Sequence, residues 1–428
     1  MKFTICTLGC KVNTYESNVM KDMLINKGYT ESNDEFADIY IINTCTVTDT
    51  SDKKSLKMVR QCIRKNENAI IIVCGCMTQV NPSLAINEGA SIVIGNKYKS
   101  KIVDYIEQYL ENKKQIVEVS DIMDTSFESM ILNNFDRTRA FVKIEDGCEN
   151  YCTYCIIPFA RGKVRSKDPN MALEEITTLV KKGHKEIVLT GIHTGHYGGD
   201  LINYNFCNLL EDIIKIEGLE RLRISSIEIT EIDDEILMLL KNTSIIVDHL
   251  HIPLQSGSDD ILKSMNRKYN KEYFIDKVNK IRDIRPDISL TTDLIVGFPG
   301  ETEELFNETI ETIERISFSK IHVFPFSLRK GTKAEEIANH IEDKIKKDRV
   351  RVMMNISKKL EIEYMKKFIN KEIELIPEKY SNGHLIGHTG NYLLIKIPST
   401  CESLKENIKA KIIEVDYPYC IAKHVTNV

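Results

Sequence analysis

The sequence predicts an α/β protein in three parts: an amino-terminal parallel-sheet α/β domain, a partial (β/α)6 barrel and a small carboxyl-terminal β-barrel. Short apolar runs alternate with helical stretches over most of the chain, and this alternation is typical of parallel sheets covered by helices. The final part instead carries short β-rich runs separated by Gly, Asn and Pro, which predicts a small barrel. The 428 residues are 42% hydrophobic and 28% charged, so they can bury a sizeable core.

The amino-terminal domain is expected over residues 1–125. Its apolar runs predict strands at Phe3–Ile5, Ile39–Ile42, Ala69–Cys74 and Ser91–Ile94. Helical patterns occur at Tyr15–Lys27, Ser51–Lys65 and Lys99–Asn112. No GxGxxG follows any of these strands, so the sequence does not support a dinucleotide site. Residues 121–137 are polar and lack periodicity, which favours a linker.

The middle domain is expected over residues 137–366. Its apolar runs predict six strands, at Ala140–Glu145, Glu186–Thr190, Leu222–Ile227, His249–Leu254, Ser289–Val296 and Lys320–Phe326. Six units are too few for a closed eight-stranded barrel, so an open, partial barrel is predicted. In such folds the chemistry belongs at the carboxyl ends of the strands.

The last domain, residues 367–428, is expected to be a β-barrel of a kind often used to hold oligonucleotides. It overlaps a basic segment, Lys344–Lys371, which has ten Lys or Arg against three Asp or Glu. The net charge of the chain is −5, so nucleic-acid binding would have to use such a local patch. Judged by charge alone, a solvated helix face is the commoner explanation.

The apolar runs are far shorter than the roughly 20 residues of a membrane span, and the first residues lead into a strand and not a signal peptide. We therefore expect a cytoplasmic protein without membrane contact. Twelve cysteines in such a chain are too few for a disulfide scaffold and more than packing needs. Their spacing becomes the main evidence on function.

Cys148, Cys152 and Cys155 lie in one tight CxxxCxxC loop. Three thiolates at this spacing can each bind a different iron of a cubane cluster, which leaves the fourth iron open. Structural zinc would need a fourth ligand nearby, and none follows before His184. The spacing therefore predicts a 4Fe-4S cluster with an iron that can bind a substrate.

Cys10, Cys45 and Cys76 each follow a separate predicted strand. Because the carboxyl ends of parallel strands meet at one edge of a sheet, we expect these cysteines to converge. The spacing alone favours a second cluster no more than it favours three buried cysteines that only pack. Cys74 is close enough to compete, but its apolar run Ile70–Val73 favours a core position.

Several motifs are together similar to one enzyme family. They are Thr7–Ser17 (TLGCKVNTYES), Asn43–Cys45 (NTC), Gly75–Met77 (GCM), the CxxxCxxC loop and Gly297–Thr302 (GFPGET). Across almost the whole chain they resemble the methylthiotransferases of the radical S-adenosylmethionine (SAM) class. The resemblance implies SAM, two 4Fe-4S clusters, a radical SAM barrel and a terminal TRAM barrel. It also implies that Cys10, Cys45 and Cys76 bind the second cluster, whereas Cys6, Cys62, Cys207, Cys401 and Cys420 match no ligand position.

The same resemblance implies how SAM is bound and used. The open iron chelates the amino and carboxylate groups of SAM, and one-electron reduction cleaves it to methionine and a 5′-deoxyadenosyl radical. The expected SAM-binding residues are at or near the cluster loop and the strand ends: Tyr154, Thr190, Gly191, Ser226, Gln255 and Val296. The sequence does not identify a catalytic general base.

Four stretches are most similar to the branch of the family that acts on N6-threonylcarbamoyladenosine at position 37 of tRNA. They are GCKVN at 9–13, LTGIHTG at 189–195, RISSIE at 223–228 and HVFPFS at 322–327. The implied reaction replaces the C2 hydrogen of the adenine with a methylthio group. Arg161, Lys163 and Arg165 are predicted contacts to the threonyl carboxylate or to phosphate, with plain surface charge an equal alternative.

The expected partners are the anticodon stem-loop of tRNA and a reducing electron donor such as flavodoxin or ferredoxin. Two other substrates remain open within the family: isopentenyladenosine in tRNA and an aspartate of a ribosomal protein. An alternative of another class is a non-catalytic RNA-binding protein that keeps an iron–sulfur cluster.

Overall fold

A computed structural model of the chain describes residues 1–32, 36–123, 126–400 and 406–425. The first sheet has six strands, β1 to β6, at Lys2–Thr7, Thr30–Glu31, Ile39–Thr44, Ile70–Gly75, Ile92–Ile94 and Ile116–Glu118. They pair in the order β2-β1-β3-β4-β5-β6, and every pair is parallel. The parallel sheet predicted for the amino-terminal part is confirmed. Its central strands, β3 and β4, are buried along their whole length, which their unbroken Ile and Val runs require.

Helices cover both faces of this sheet. They are α1 to α5, at Lys11–Asn26, Asp49–Lys65, Cys76–Val80, Ser83–Asn87 and Ile102–Asn112. The side chain of Thr48 caps α2 by accepting from Ser51 N, and Asp49 in the first turn suits the positive end of the helix. The predicted helix at Lys99–Asn112 begins as a 3-10 turn over Lys99–Lys101 and becomes α-helical only at Ile102.

The predicted linker packs against the folded parts on either side of it. Among its described residues there is no helix or strand between β6 and the next strand. Met130, Leu132 and Phe135 are nevertheless almost fully buried in the main hydrophobic core. Because the segment is polar overall, the sequence did not indicate that these three apolar residues are core residues. They pack between the amino-terminal part and the barrel.

The middle part has eight strands, β7 to β14, at Arg139–Lys143, Glu145–Asp146, Arg165–Ser166, Glu186–Thr190, Arg221–Ile224, His249–His251, Ser289–Val296 and Lys320–Pro325. Six of them form two parallel sheets, β7-β10-β11 and β12-β13-β14, linked by a single bridge from Leu222 to Ile246. The outer strands β7 and β14 do not pair with each other within the described part of the chain, so the barrel is open. The predicted open (β/α)6 barrel is confirmed.

Eight helices belong to this part, α6 to α13, at Ile157–Arg161, Pro169–Lys181, Phe206–Ile213, Asp234–Asn242, Asp259–Ser264, Lys271–Ile284, Glu303–Ile316 and Asp343–Lys366. The Asp168 side chain caps α7 by accepting from Asn170 N and Met171 N, with Pro169 at the first helical position. No helix in the described residues is both long and apolar enough to cross a membrane.

The final strands, β15 to β19, are at Glu372–Ser381, His384–Thr389, Leu394–Pro398, Ile408–Asp416 and Tyr419–His424. They close into a barrel in the order β15-β16-β17-β19-β18, which confirms the predicted small β-barrel. The β-rich runs of the sequence predict only three of these strands, at Glu372–Ile376, Tyr392–Ile397 and Lys409–Val415. β16 was missed because Gly387 interrupts its apolar pattern; a Cβ there would lie 2.3 Å from Ile376 O on β15.

Candidate active site

Cys10, Cys45 and Cys76 lie at the carboxyl edge of the first sheet. Cys10 is the N-cap of α1, Cys45 follows β3, and Cys76 is the first residue of α3. Thr44 on β3 is the register partner of Gly75 on β4, which sets Cys45 beside Cys76. We refer to these three residues as the amino-terminal trio. The parallel sheet brings its members together at one edge, as the sequence predicted.

Gly9 allows the loop after β1 to approach Cys45 closely. Its φ is +102°, and a Cβ there would lie 2.7 Å from Cys45 Cβ. Asn13, near the start of α1, donates from Nδ2 to Leu8 O at 2.7 Å and to Thr44 O at 2.9 Å. These contacts fix the two cysteine-bearing loops against each other.

A buried ion network lies directly against Cys76. Arg161 is fully buried, and its Nε donates to Cys76 Sγ at 3.3 Å. Its Nη1 donates to Glu16 Oε1 at 2.8 Å and to Asp146 at 3.2 Å. Lys143 Nζ donates to the same two carboxylates, at 2.9 Å and 2.6 Å. Burial opposes ionisation of Asp146, but Arg161, Lys143 and Arg165 outweigh it and hold the pKa of this carboxyl well below its usual range.

Asn96 and Lys99 complete this network. Asn96 Nδ2 gives Cys76 Sγ a second donor at 3.3 Å, and its Oδ1 accepts from Lys99 Nζ at 2.8 Å. Lys99 also forms an ion pair with Glu16. Three buried cations (Arg161, Lys143 and Lys99) therefore face two buried carboxylates (Glu16 and Asp146). An anionic ligand sulfur at Cys76 would balance the surplus positive charge.

Cys148, Cys152 and Cys155, the barrel trio, lie in the loop that follows β8. Gly147 opens this loop with a φ of +94°, and a Cβ there would lie 1.9 Å from Lys163 O. Cys155 N donates to Cys152 O at 2.9 Å, which closes the turn between the last two cysteines. Only glycine fits at position 147, so the loop conformation is built into the sequence.

Polar side chains contact the sulfur atoms of two cysteines of the barrel trio. Arg267 Nη1 donates to Cys152 Sγ at 3.2 Å, and its Nη2 pairs with the carboxylate of Glu228. The Nδ1 atom of His193 lies 3.8 Å from Cys148 Sγ. Groups of this kind orient ligands and tune their electronics in metal sites.

A cavity of about 550 Å³ lies against Cys10 of the amino-terminal trio, and we call it the central cavity. Cys10 and Lys11 line it from the start of α1, and Tyr392 lines it from the terminal barrel. The strand ends of the open barrel form the rest of its wall, including Thr190, Gly191 and Ser226. All three parts of the chain therefore meet around one space.

The thiols fit clusters better than single metal ions. Among the described residues, no three His, Cys, Asp or Glu side chains converge on one ion. Each cysteine ligand of a cubane binds a different iron, so the three thiols of a trio need not meet at one point. Burial and the nearby Cys76 and Cys10 raise the pKa of Cys45 to about 11, and burial raises that of Cys155 to about 12. Metal binding at these thiols therefore has to release protons.

Two family descriptions match the chain. Residues 142–313 match the Radical SAM superfamily, and residues 2–95 match the Uncharacterized protein family UPF0004. The threonylcarbamoyladenosine tRNA methylthiotransferase MtaB of Bacillus subtilis (strain 168) is 44% identical to this chain. The match covers 96% of this chain and 94% of the Bacillus protein. The chain belongs to the radical SAM methylthiotransferase family.

Other methylthiotransferases are also similar over nearly their full length. The MtaB of Aquifex aeolicus (strain VF5) is 41% identical, and the match covers 92% of this chain and 96% of the Aquifex protein. The tRNA-2-methylthio-N(6)-dimethylallyladenosine synthase of Clostridium perfringens (strain SM101 / Type A) is 35% identical, and the match covers 96% of this chain and 95% of the synthase.

The fold is similar to those of solved radical SAM enzymes. The methyltransferase TsrM from Kitasatospora setae, solved with cobalamin and a [4Fe-4S] cluster, has a TM-score of 0.58 at 13% identity. The match covers 78% of this chain and 76% of TsrM. OxsB, solved with aqua-cobalamin, has a TM-score of 0.54 at 13% identity, over 84% and 56% of the two chains. These likenesses concern the fold alone.

Methylthiotransferases of this kind use SAM and two 4Fe-4S clusters. Two trios of cysteines are the donor set that two such clusters require. All six cysteines are free thiols. The N–H donors on Cys76 Sγ and Cys152 Sγ, and the surplus positive charge beside Cys76, suit anionic cluster ligands.

The six predicted SAM contacts fall into two groups. Thr190, Gly191 and Ser226 line the central cavity. Tyr154, Gln255 and Val296 are not among its lining residues. The Tyr154 ring packs edge-on against Phe298 at 6.5 Å, Gln255 has a φ of +66°, and Val296 is fully buried. The assignment of all six to SAM stays a prediction.

The anion contact predicted at Arg161 needs correction. Its guanidinium is fully buried and committed to Glu16, Asp146 and Cys76, so it is not accessible to a carboxylate or a phosphate of the substrate. Arg165 is half-buried and donates to two backbone oxygens, and Lys163 is exposed. Sequence alone could not reveal this burial, because Arg161 and Glu16 are far apart along the chain.

The remaining cysteines agree with the packing positions expected for them where the structure describes them. Cys62, Cys74, Cys207 and Cys420 are buried in hydrophobic clusters, and Cys6 is half-buried beside Cys62. Cys401 lies outside the described residues. The sequence analysis assigns no binding role to Arg223, His249 or Tyr392, which line the central cavity.

Proposed function

We propose that this chain is a tRNA methylthiotransferase that replaces the C2 hydrogen of N6-threonylcarbamoyladenosine at position 37 with a methylthio group. The relatives that carry this activity in their names are 41–44% identical, against 35% for those named for dimethylallyladenosine. We assign the barrel trio to the radical-generating cluster and the amino-terminal trio to the sulfur-bearing cluster.

One observation carries the proposal. Cys10 of the amino-terminal trio lines the same cavity as Thr190, Gly191 and Ser226, which lie at the strand ends of the barrel. We propose that a base held in this cavity lies between the barrel trio, as the radical source, and the amino-terminal trio, as the sulfur source. Transfer from one site to the other needs that placement.

An adenine C2–H bond resists acid–base and nucleophilic attack, and the clusters and SAM supply the radical and sulfur chemistry that it requires. The residues of the chain orient the cysteine ligands and enclose the substrate base. Arg267, paired with Glu228, orients Cys152, and Arg161 holds Cys76. The walls of the central cavity come from all three parts of the chain and would shelter the reacting groups from water once the RNA is bound.

The RNA would be held by exposed cations near the terminal barrel. Within the basic segment, the structure exposes eight basic residues and buries Arg349, which pairs with Glu301. The exposed set is Lys344, Lys347, Arg351, Lys358, Lys359, Lys366, Lys367 and Lys371. We propose that this surface binds the anticodon stem-loop through its phosphates. Flavodoxin or ferredoxin is the proposed electron donor, in keeping with the expected cytoplasmic location.

The test is expression of the chain in a bacterial strain that lacks its own threonylcarbamoyladenosine methylthiotransferase. Mass spectrometry of the tRNA nucleosides should show the methylthio derivative of threonylcarbamoyladenosine, and a Cys148→Ala variant should not restore it. A methylthio group found only on isopentenyladenosine, or only on ribosomal protein, would replace the proposed substrate. Binding of tRNA without any product from a protein loaded with both clusters would favour the non-catalytic alternative.

A further inference from the structure

The central cavity has one strongly cationic wall. Lys11 comes from the start of α1, Arg223 from β11, and both lie near Tyr392 of the terminal barrel. The Arg223 guanidinium lies 4.7 Å from the centroid of the Tyr392 ring, and that of Arg139 lies 5.3 Å from it. Burial opposes ionisation of the phenol, yet Arg139, Lys11 and Arg223 together lower the pKa of Tyr392. The local field therefore favours an anion.

Arg223 carries an unused donor. It is 2% exposed, its Nε donates to Glu186 Oε1 at 2.8 Å, and its Nη2 reaches Thr389 O at 3.4 Å. Its Nη1 is buried and has no hydrogen-bond partner among the described residues. An unpaired guanidinium N–H is costly inside a protein, which indicates that a ligand atom completes the site.

Lys11 and His249 add to the same wall. Lys11 Nζ contacts Ser225 Oγ at 3.3 Å, and no carboxylate pairs with it in the described part of the chain. His249 stacks on Tyr392 with ring centroids 4.8 Å apart, and its buried Nδ1 has no partner among the described residues. The carboxylate in the cavity wall, Asp293, lies 3.3 Å from His251 Nε2.

We propose that Arg223 and Lys11 bind the carboxylate of an amino-acid group attached to the target base, with His249 Nδ1 as a further polar contact. This inference rests on the proposed function and deepens it. A threonylcarbamoyl group ends in a carboxylate, whereas a dimethylallyl group is uncharged and would leave Lys11 without an anion and Arg223 Nη1 without an acceptor. The cationic wall thus selects between the two modified adenosines.

The test uses the full-length protein with both clusters and anticodon stem-loop RNAs that differ only at position 37. The four RNAs carry adenosine, threonylcarbamoyladenosine, its methyl ester or isopentenyladenosine. Fluorescence anisotropy at fixed salt should show that the free acid binds about 10- to 100-fold more tightly than the ester, which is the effect of one or two charge-assisted hydrogen bonds. Isopentenyladenosine should bind no better than the ester.

Arg223→Gln should remove the preference for the free acid and leave the affinity for the ester within about twofold. Lys11→Gln should reduce the preference in part. Lys215→Gln is the matched control, because Lys215 is 70% exposed and does not line the cavity. Iron content and the melting temperature of each variant report whether the fold and the clusters survive.

The ester comparison needs only the wild-type protein, so it holds even if Arg223→Gln does not fold. Equal affinity for acid and ester in the wild type would overturn the carboxylate site. If the wild type still methylthiolates threonylcarbamoyladenosine, the proposed function stands and only this inference fails. If the wild type methylthiolates isopentenyladenosine instead, both fail.

Discussion

Arg161 Nε donates a hydrogen bond to Cys76 Sγ over 3.3 Å, from a side chain that has no exposed surface. Arg161 ends α6, directly after the barrel trio, and Cys76 belongs to the amino-terminal trio. The contact therefore joins the two halves of the site. It also gives the sulfur of Cys76 a cationic neighbour, and such groups raise the reduction potential of a cluster.

Arg161→Gln should make the reduction potential of the second cluster more negative, because both an N–H···S bond and a positive charge are lost. The measurement is an EPR-monitored redox titration in a Cys148→Ala background, where only the second cluster contributes. Arg64→Gln, at an exposed position on α2, is the matched control. A potential unchanged from the parent would contradict the proposed role of Arg161.

The same substitution should also lower stability. Loss of Arg161 removes its hydrogen bonds to Glu16 and Asp146, and loss of buried hydrogen bonds to charged groups costs about 1.5–3 kcal/mol. Thermal unfolding of the cluster-free protein measures this cost. A melting temperature equal to that of Arg64→Gln would show that the network does not depend on Arg161.

Iron content separates ligands from packing cysteines. Cys10→Ala, Cys45→Ala and Cys76→Ala should each reduce iron from about eight per chain to about four after anaerobic reconstitution. Cys74→Ala is the matched control, because Cys74 is fully buried on β4 two residues before Cys76. Eight irons in Cys76→Ala, or four in Cys74→Ala, would mean that the second ligand set is misassigned.

Gly147→Ala should disrupt the barrel trio. An alanine Cβ there would lie 1.9 Å from Lys163 O, a clash with backbone that no side-chain shift can relieve. Gly183 is the matched control, since its φ of +95° is almost the same as the +94° of Gly147 but nothing lies within 4 Å of its Cβ position. Gly183→Ala should cost about 1–2 kcal/mol and keep all its iron. Equal losses of stability and iron in the two variants would contradict the close approach at Gly147.

Removal of charge from the basic segment should weaken tRNA binding in a salt-dependent manner. Lys366→Gln/Lys367→Gln should reduce the slope of log K against log salt by about one to two units if both residues contact phosphate. Lys113→Gln/Lys114→Gln removes the same charge from exposed residues beside the first sheet. An unchanged slope for the first pair would place the RNA elsewhere on the molecule.

The sequence predicts the framework of the site well and its electrostatics poorly. Cys10, Cys45 and Cys76 could be grouped in advance because parallel strands end at one edge of a sheet. The burial of Arg161 could not, because it depends on Glu16, which is distant in sequence and meets Arg161 only in the folded chain. The unpaired donor of Arg223 is equally invisible, since Glu186 and Thr389 define it in space.

The proposed function depends on two clusters that act on a threonylcarbamoyladenosine held between them. The most direct test is incubation of the protein, loaded with about eight irons, with SAM, a reductant and a stem-loop carrying threonylcarbamoyladenosine, followed by nucleoside mass spectrometry. The predicted result is methylthiolation at C2 in the wild type and its loss in both Cys10→Ala and Cys148→Ala. The contradicting result is no methylthio product from fully loaded protein, or product that persists in Cys10→Ala.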